Sequence, residues 1–162
     1  MTAPAAAWIT IDGRRAVLRG SRLRPLPDDF RLPAGFRFKE PVWRGNAMDD
    51  GSRYSWEIRD GKLYLTHLHC EVIGEQILRR FYFELEDVWG SQEPVLAEWI
   101  SGRYQTSIGE PRFYDTFEGA VFETYDDLII KKGIVVERSI VTDAELMDRI
   151  KDQLRSGGAI PK

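Results

Sequence analysis

The densest set of side chains able to ligate a metal or relay a proton is Thr66-His-Leu-His-Cys-Glu71, which holds both histidines and the single cysteine of the 162-residue chain. On a strand, His67 and His69 point to one side, as ligands at i and i+2 do, and Cys70 points to the other. Zinc needs three or four ligands, and the chain has no further histidine or cysteine to supply them, so no metal site is assigned. His67 follows Leu63 and Leu65 on the same side of that strand, which places it at the rim of the core. Adjacency of Cys70 to a histidine in sequence is not the geometry of a nucleophile and its base. The chain lacks a Gly-x-Ser-x-Gly elbow, a Gly-x-Gly-x-x-Gly fingerprint and a phosphate-cradling Gly-x4-Gly-Lys-Ser/Thr loop. No catalytic residue and no cofactor is therefore assigned, and the protein reads as a non-enzymatic one.

Carboxylates are the other candidates. The net charge of −3 conceals a partition into +5 over residues 1–45, −10 over 46–130 and +2 over 131–162. From Phe81 to Asp127 eleven carboxylates face only Arg103 and Arg112. Glu84, Glu86, Asp87, Glu98, Glu110, Asp115, Glu118 and Glu123 are the candidate contacts for a basic protein partner, because complementary fields speed association. The same residues also suit a solvated sheet face. The N-terminal Arg14, Arg15, Arg19, Arg22, Arg24, Arg31 and Arg37 are equally placed to neutralise this acidic middle, and with a pI near 5.5 no nucleic-acid partner is expected.

Period-two alternation interrupted by two-residue turns must position these groups. Residues 8–18 read as a hairpin turning at Asp12-Gly13, and residues 54–65 as one turning at Asp60-Gly61. The second places Tyr54, Trp56, Ile58, Leu63 and Leu65 on a dry face. Further strands are expected over 78–89 and over 95–108, the latter folding back at Ser101-Gly102. A long run follows over 113–125, and Asp126-Asp127 separates it from residues 128–130. Lys131-Lys132-Gly133 then turns the chain into residues 134–141. No segment offers the helical crossovers that parallel strands need, so the sheet is expected to be antiparallel. Thr142-Asp-Ala-Glu145 has capping-box spacing, and Leu146, Met147, Ile150 and Leu154 follow at helical spacing. One helix over 143–156, packed on the sheet, is expected. Residues 24–33, with three prolines, form a loop wrapping the sheet through Phe30 and Leu32, and Gly45–Gly51 forms a shorter one.

The fold class expected is α+β, mainly antiparallel β: a strongly bent sheet or partial barrel of hairpins with one C-terminal helix. The length suits a single domain over 1–162, with flexible ends at 1–6 and 157–162. No segment has the pattern of a secretory signal or a membrane span. Together with one unpaired cysteine, this favours a cytoplasmic setting and no membrane partner.

Four runs carry a resemblance: Val42-Trp-Arg-Gly45, Ser55-Trp-Glu-Ile-Arg-Asp-Gly-Lys-Leu-Tyr-Leu65, Ala97-Glu-Trp-Ile-Ser-Gly102 with Gly109-Glu110, and Asp127-Leu-Ile-Ile-Lys-Lys-Gly-Ile-Val-Val136. In order and spacing, over about residues 8–137, the chain resembles a family of small bacterial proteins with no assigned activity. Where that family has a His-Met pair after the tyrosine matching Tyr114, this chain has Asp115-Thr116-Phe117. The resemblance implies a bacterial cytoplasmic accessory protein. The leading expectation is an immunity- or antitoxin-like binding protein with an acidic face. The alternatives are a small-molecule binder or enzyme with a cleft near Trp43, Arg44 and His67, and a structural homo-oligomer paired through hairpin edges.

Overall fold

The computed structural model describes residues 7–19, 23–39, 42–44, 47–49, 52–115 and 119–156. In chain order the first strands are β1 (Ala7–Ile11), β2 (Arg14–Arg19), β3 (Phe36–Phe38), β4 (Val42–Arg44), β5 (Ala47–Asp49) and β6 (Ser52–Arg59). The long β7 (Lys62–Gly74) and β8 (Arg80–Glu84) lead into the short helix α1 (Leu85–Trp89). The chain continues as β9 (Val95–Leu96), β10 (Gly102–Asp115), β11 (Gly119–Lys131), β12 (Ile134–Thr142) and helix α2 (Asp143–Arg155).

Local turn chemistry builds the hairpins. Asp12-Gly13, Asp60-Gly61 and Lys132-Gly133 each place two successive residues at positive φ, the type I′ geometry whose twist matches the strands it joins. At Gly133 (φ 78°) the requirement is also steric, because an added Cβ would meet the Ala97 carbonyl oxygen at 2.8 Å. That contact belongs to a closure. The Leu63 amide donates to Gly133, the Val135 amide to Gly61 and the Gly133 amide to Ile100, at 2.8–2.9 Å.

Pairing runs β7–β6–β1–β2–β10–β11–β12 and returns to β7 through Ile134 opposite Lys62, so seven strands form a ring. Its filling is apolar: Ile9, Ile11, Ala16, Leu18, Trp56, Ile58, Leu63, Leu65, Leu128 and Ile130 are all buried. The expected bent sheet thus goes further, to a closed ring, which removes free edges along the paired stretches. Among the described residues one pairing is parallel, β1 with β6 at Thr10–Glu57 and Ile11–Ile58. The sequence argument for a wholly antiparallel sheet assumed that parallel neighbours are joined by helical crossovers. Here the chain covers residues 20–51 between β2 and β6 without a helix among its described residues.

Beyond the ring, β7 continues from Leu68 to Gly74 as the middle strand of a flap, with β3 on one side and β8 on the other. A β-bulge makes this possible. Ser55 lies opposite His67, but Trp56 lies opposite Leu65, leaving Thr66 as the extra residue. The alternation therefore changes phase, and the buried residues run Leu63, Leu65, then Leu68, Cys70, Val72. His67 and His69 face outward, so the expectation of His67 at the core rim is corrected.

Other expectations change where pairing overrides local pattern. Residues 78–89 are not one strand: β8 ends at Glu84, whose amide donates to Asp87 Oδ2 at 2.8 Å as the chain turns into α1. Residues 95–108 are not a hairpin, because β9 pairs with β7 rather than with β10. The 113–125 run is split between β10 and β11, with Asp115 opposite Gly119, and Asp126-Asp127 lies within β11 instead of ending a strand. Inside the expected 45–51 loop, residues 47–49 pair with β4. The C-terminal helix forms as expected, with Thr142 Oγ1 accepting from the Glu145 amide and Glu145 reciprocating. It docks mainly through Leu146, with Met147 packed alongside. Ile150 and Leu154 stay 48% and 59% exposed.

Candidate functional site

The acidic stretch divides into groups with opposite fates. Asp126 and Asp127 are adjacent on β11, so their side chains leave opposite faces of the strand, and both are buried. Asp126 accepts from Arg14 at 2.6 Å and from the Nε and Nη2 of Arg138 at 3.1 and 3.2 Å; Arg138 also reaches Asp12. Asp127 accepts from Arg103 Nε and Nη2 at 3.0 and 2.6 Å, from Gln105 at 2.9 Å and from Arg149 of α2 at 2.8 Å. The Arg103 fork, seconded by Gln105 and Arg149, outweighs burial and holds the Asp127 carboxyl well below the usual carboxylate range. Hydrogen bonding to Asp127 and to Asp126 raises Arg103 and Arg138 respectively above the ordinary arginine value. One N-terminal arginine does neutralise part of the acidic middle, since Arg14 holds Asp126, whereas Arg19 holds Asp143 of α2, outside it.

Around α1 the carboxylates stay in water. Glu84, Glu86, Asp87 and Glu93 are exposed, and the sequence has no Lys or Arg between Arg80 and Arg103 to oppose them. Gln92 bridges Glu84 and Glu86 at 3.1 and 3.4 Å, and His69 stands 3.6 Å from Glu84 while stacking on Tyr82. Charge is graded along β8, from Arg80 at one end to Glu84 at the other. Arg80 and Lys39 converge on the buried Glu71.

Two grooves flank α1. One, of about 450 Å3, is aromatic and lies among Phe30, Phe36, Phe81 and Phe83, with Asp87 and Val88 contributed by the helix. Phe30 stacks on Phe83 at 5.8 Å, which is how the proline-rich loop wraps the sheet. The other, of about 560 Å3, is lined by Trp89, Trp99, Glu98, Asp29 and Pro27. Its two indoles stack at 5.5 Å with planes 14° apart, and Trp99 Nε1 is fixed by donation to the Arg24 carbonyl at 2.7 Å. Carboxylates beside indole faces attract a cation twice over, by charge and by the ring quadrupole. A third groove, of about 600 Å3, lies between α2 and β10, with Arg19, Arg103 and Arg149 in its wall.

The structure brings some of the sequence-derived candidates together and scatters others. Glu84, Glu86 and Asp87 gather at α1, and Glu98 lines the tryptophan groove. Glu110, Asp115 and Glu123 belong to the far part of the β10–β11 hairpin instead. Glu118 lies outside the described residues. Trp43 and Arg44 lie on β4, and His67 is exposed and lines none of the three grooves. Among the described residues, no three His, Cys, Asp or Glu side chains come together as metal ligands would. No described helix is long and apolar enough to cross a membrane. Sequence reasoning missed the tryptophan groove because Trp89, Trp99 and Asp29 come from three separate segments; only the run of unopposed acids hinted at it. Compared with family models, curated proteins and solved structures, the chain shows no significant match.

Proposed function

We propose that this is a non-enzymatic bacterial binding protein, of the immunity or antitoxin kind, that works in the cytoplasm by presenting the α1 surface to a basic protein partner. The observation that carries this reading is the tryptophan groove, where Glu98 and Asp29 lie beside two stacked indoles next to the exposed Glu84, Glu86 and Glu93. A lysine or arginine side chain entering that groove gains cation–π and ionic contacts, and the neighbouring carboxylates steer its approach. Glu110, Asp115 and Glu123 act at longer range in this reading.

The test begins with co-purification from a bacterial host, then measures the affinity of the identified partner for wild type, Glu98→Lys and Glu84→Lys/Glu86→Lys. Expected is a fall of about tenfold or more both on charge reversal and between low and physiological salt. A partner indifferent to salt and to both variants overturns the reading. So does the retention of full affinity by Glu98→Lys.

A further inference from the structure

We propose that the groove between α2 and β10 binds a small molecule through a phosphate group. Two cationic side chains converge there on a single buried carboxylate, Asp127. A carboxylate offers about four lone-pair sites, and Arg103 fills two of those on Asp127 through Nε and Nη2. Gln105 and Arg149 are added to the same carboxylate. Two guanidiniums thus meet on one buried carboxylate, and the exposed Glu137 also acts on Arg103 by charge.

Those guanidiniums are also free to act. Among the described residues, Arg103 Nη1 and Arg149 Nε and Nη2 make no hydrogen bond, and the two side chains remain 52% and 46% exposed. Anchored from below and open above, they are held without further cost in side-chain freedom, which is the condition that makes arginine effective toward phosphate. Arg19, bonded to Asp143 and lying over the Tyr125 ring at 5.1 Å, extends the same wall. The carboxylate in the lining is Asp152, which faces Arg155 at 3.9 Å.

The α2 side adds apolar groups beside Arg149, Asp152, Gln153 and Ser156: Leu146 is buried, and Ile150 is half-exposed, where it offers contact to the organic part of a ligand. A volume of about 600 Å3 lies in the ordinary range for small-molecule sites. Several N–H donors spread over two fixed guanidiniums suit the many oxygens of a phosphate dianion better than the two of a carboxylate. The site is on a different part of the molecule from the α1 surface and does not depend on it.

Calorimetric titration of the intact protein at constant ionic strength tests this, with inorganic phosphate, phenyl phosphate and acetate as probes. Saturable binding of a phosphate probe is expected, with acetate much weaker. Tighter binding of phenyl phosphate than of inorganic phosphate identifies an organic phosphate as the ligand class; equal binding identifies free phosphate. Ile150→Glu places a carboxylate in the groove at an exposed position, so it is expected to weaken binding about tenfold or more with an unchanged melting temperature. Arg103→Lys is expected to lose most of the affinity, since an ammonium cannot hold Asp127 and a phosphate as a fork does. The proposal is overturned by an absence of saturation at millimolar phosphate, by acetate binding as tightly as phosphate, or by phosphate binding that Ile150→Glu leaves intact.

Discussion

Asp126-Asp127 and the carboxylates around α1 belong to one acidic stretch of sequence, yet they do opposite things. The β11 pair is buried, and each member is held by two arginines, Asp126 by those of β2 and β12 and Asp127 by those of β10 and α2. Glu84, Glu86, Asp87 and Glu93 lie within ten residues of one another and remain in water, with no cation between Arg80 and Arg103 in sequence. A block of negative charge therefore does not predict a negative surface. What separates the two groups is whether the fold brings arginine to the carboxylate, because a charge leaves water only when paired and hydrogen-bonded.

The largest consequence of this contrast is in stability. Asp127→Ala removes the anion that joins Arg103, Gln105 and Arg149 and is expected to cost about 3 kcal/mol in urea unfolding. Asp126→Ala should cost less, since Arg138 keeps Asp12 as a partner. Equal and negligible losses in both would erase the distinction between buried and exposed acids.

The same contrast is expected in acid. A carboxyl held below its unfolded value stabilises the protein above that value, about pH 4, and the contribution disappears as pH falls through the folded value. The stability gap between wild type and Asp127→Asn should therefore be constant between about pH 5 and pH 7 and narrow below about pH 4. Unfolding curves over that range check it; a gap that widens in acid would mean the sign is wrong.

A smaller loss, about 1 kcal/mol, is expected for Thr142→Ala, which removes the hydroxyl that caps α2. Because α2 carries Arg149, this variant also reports how far the Asp127 cluster depends on helix docking. The smallest effect is expected at α1: Glu84→Gln with Glu86→Gln should stay within about 0.5 kcal/mol of wild type while weakening the partner. A large destabilisation there would turn the α1 acids into structural groups and remove the contrast.

How much of this was legible in sequence depends on the range of the interaction. The three Xaa-Gly turns, the Thr142–Glu145 box and the alternation of Tyr54, Trp56 and Ile58 are decided by neighbours a few residues apart, and each appears where the residues place it. The proline-rich loop is also where expected, and Phe30 packs as its apolar character implied. The phase change at Thr66 has no local signal, since it depends on how β6 and β7 share partners beyond the ring; it moves His67 from the expected core rim to an exposed position. The α1 helix hides in an alternating run for a similar reason: Glu84 and Asp87 stop the strand with a hydrogen bond that alternation does not encode. The candidate sites divide in the same way. Composition determined that residues 81–127 carry a large negative excess, because charge is a property of residues alone. Only the tertiary structure decided that two of those charges are buried beneath arginines, that Glu98 lines an indole groove and that three guanidiniums line a groove beside α2. Each of those outcomes requires side chains ten or more residues apart to come within hydrogen-bonding or stacking distance, and only chain closure brings them there.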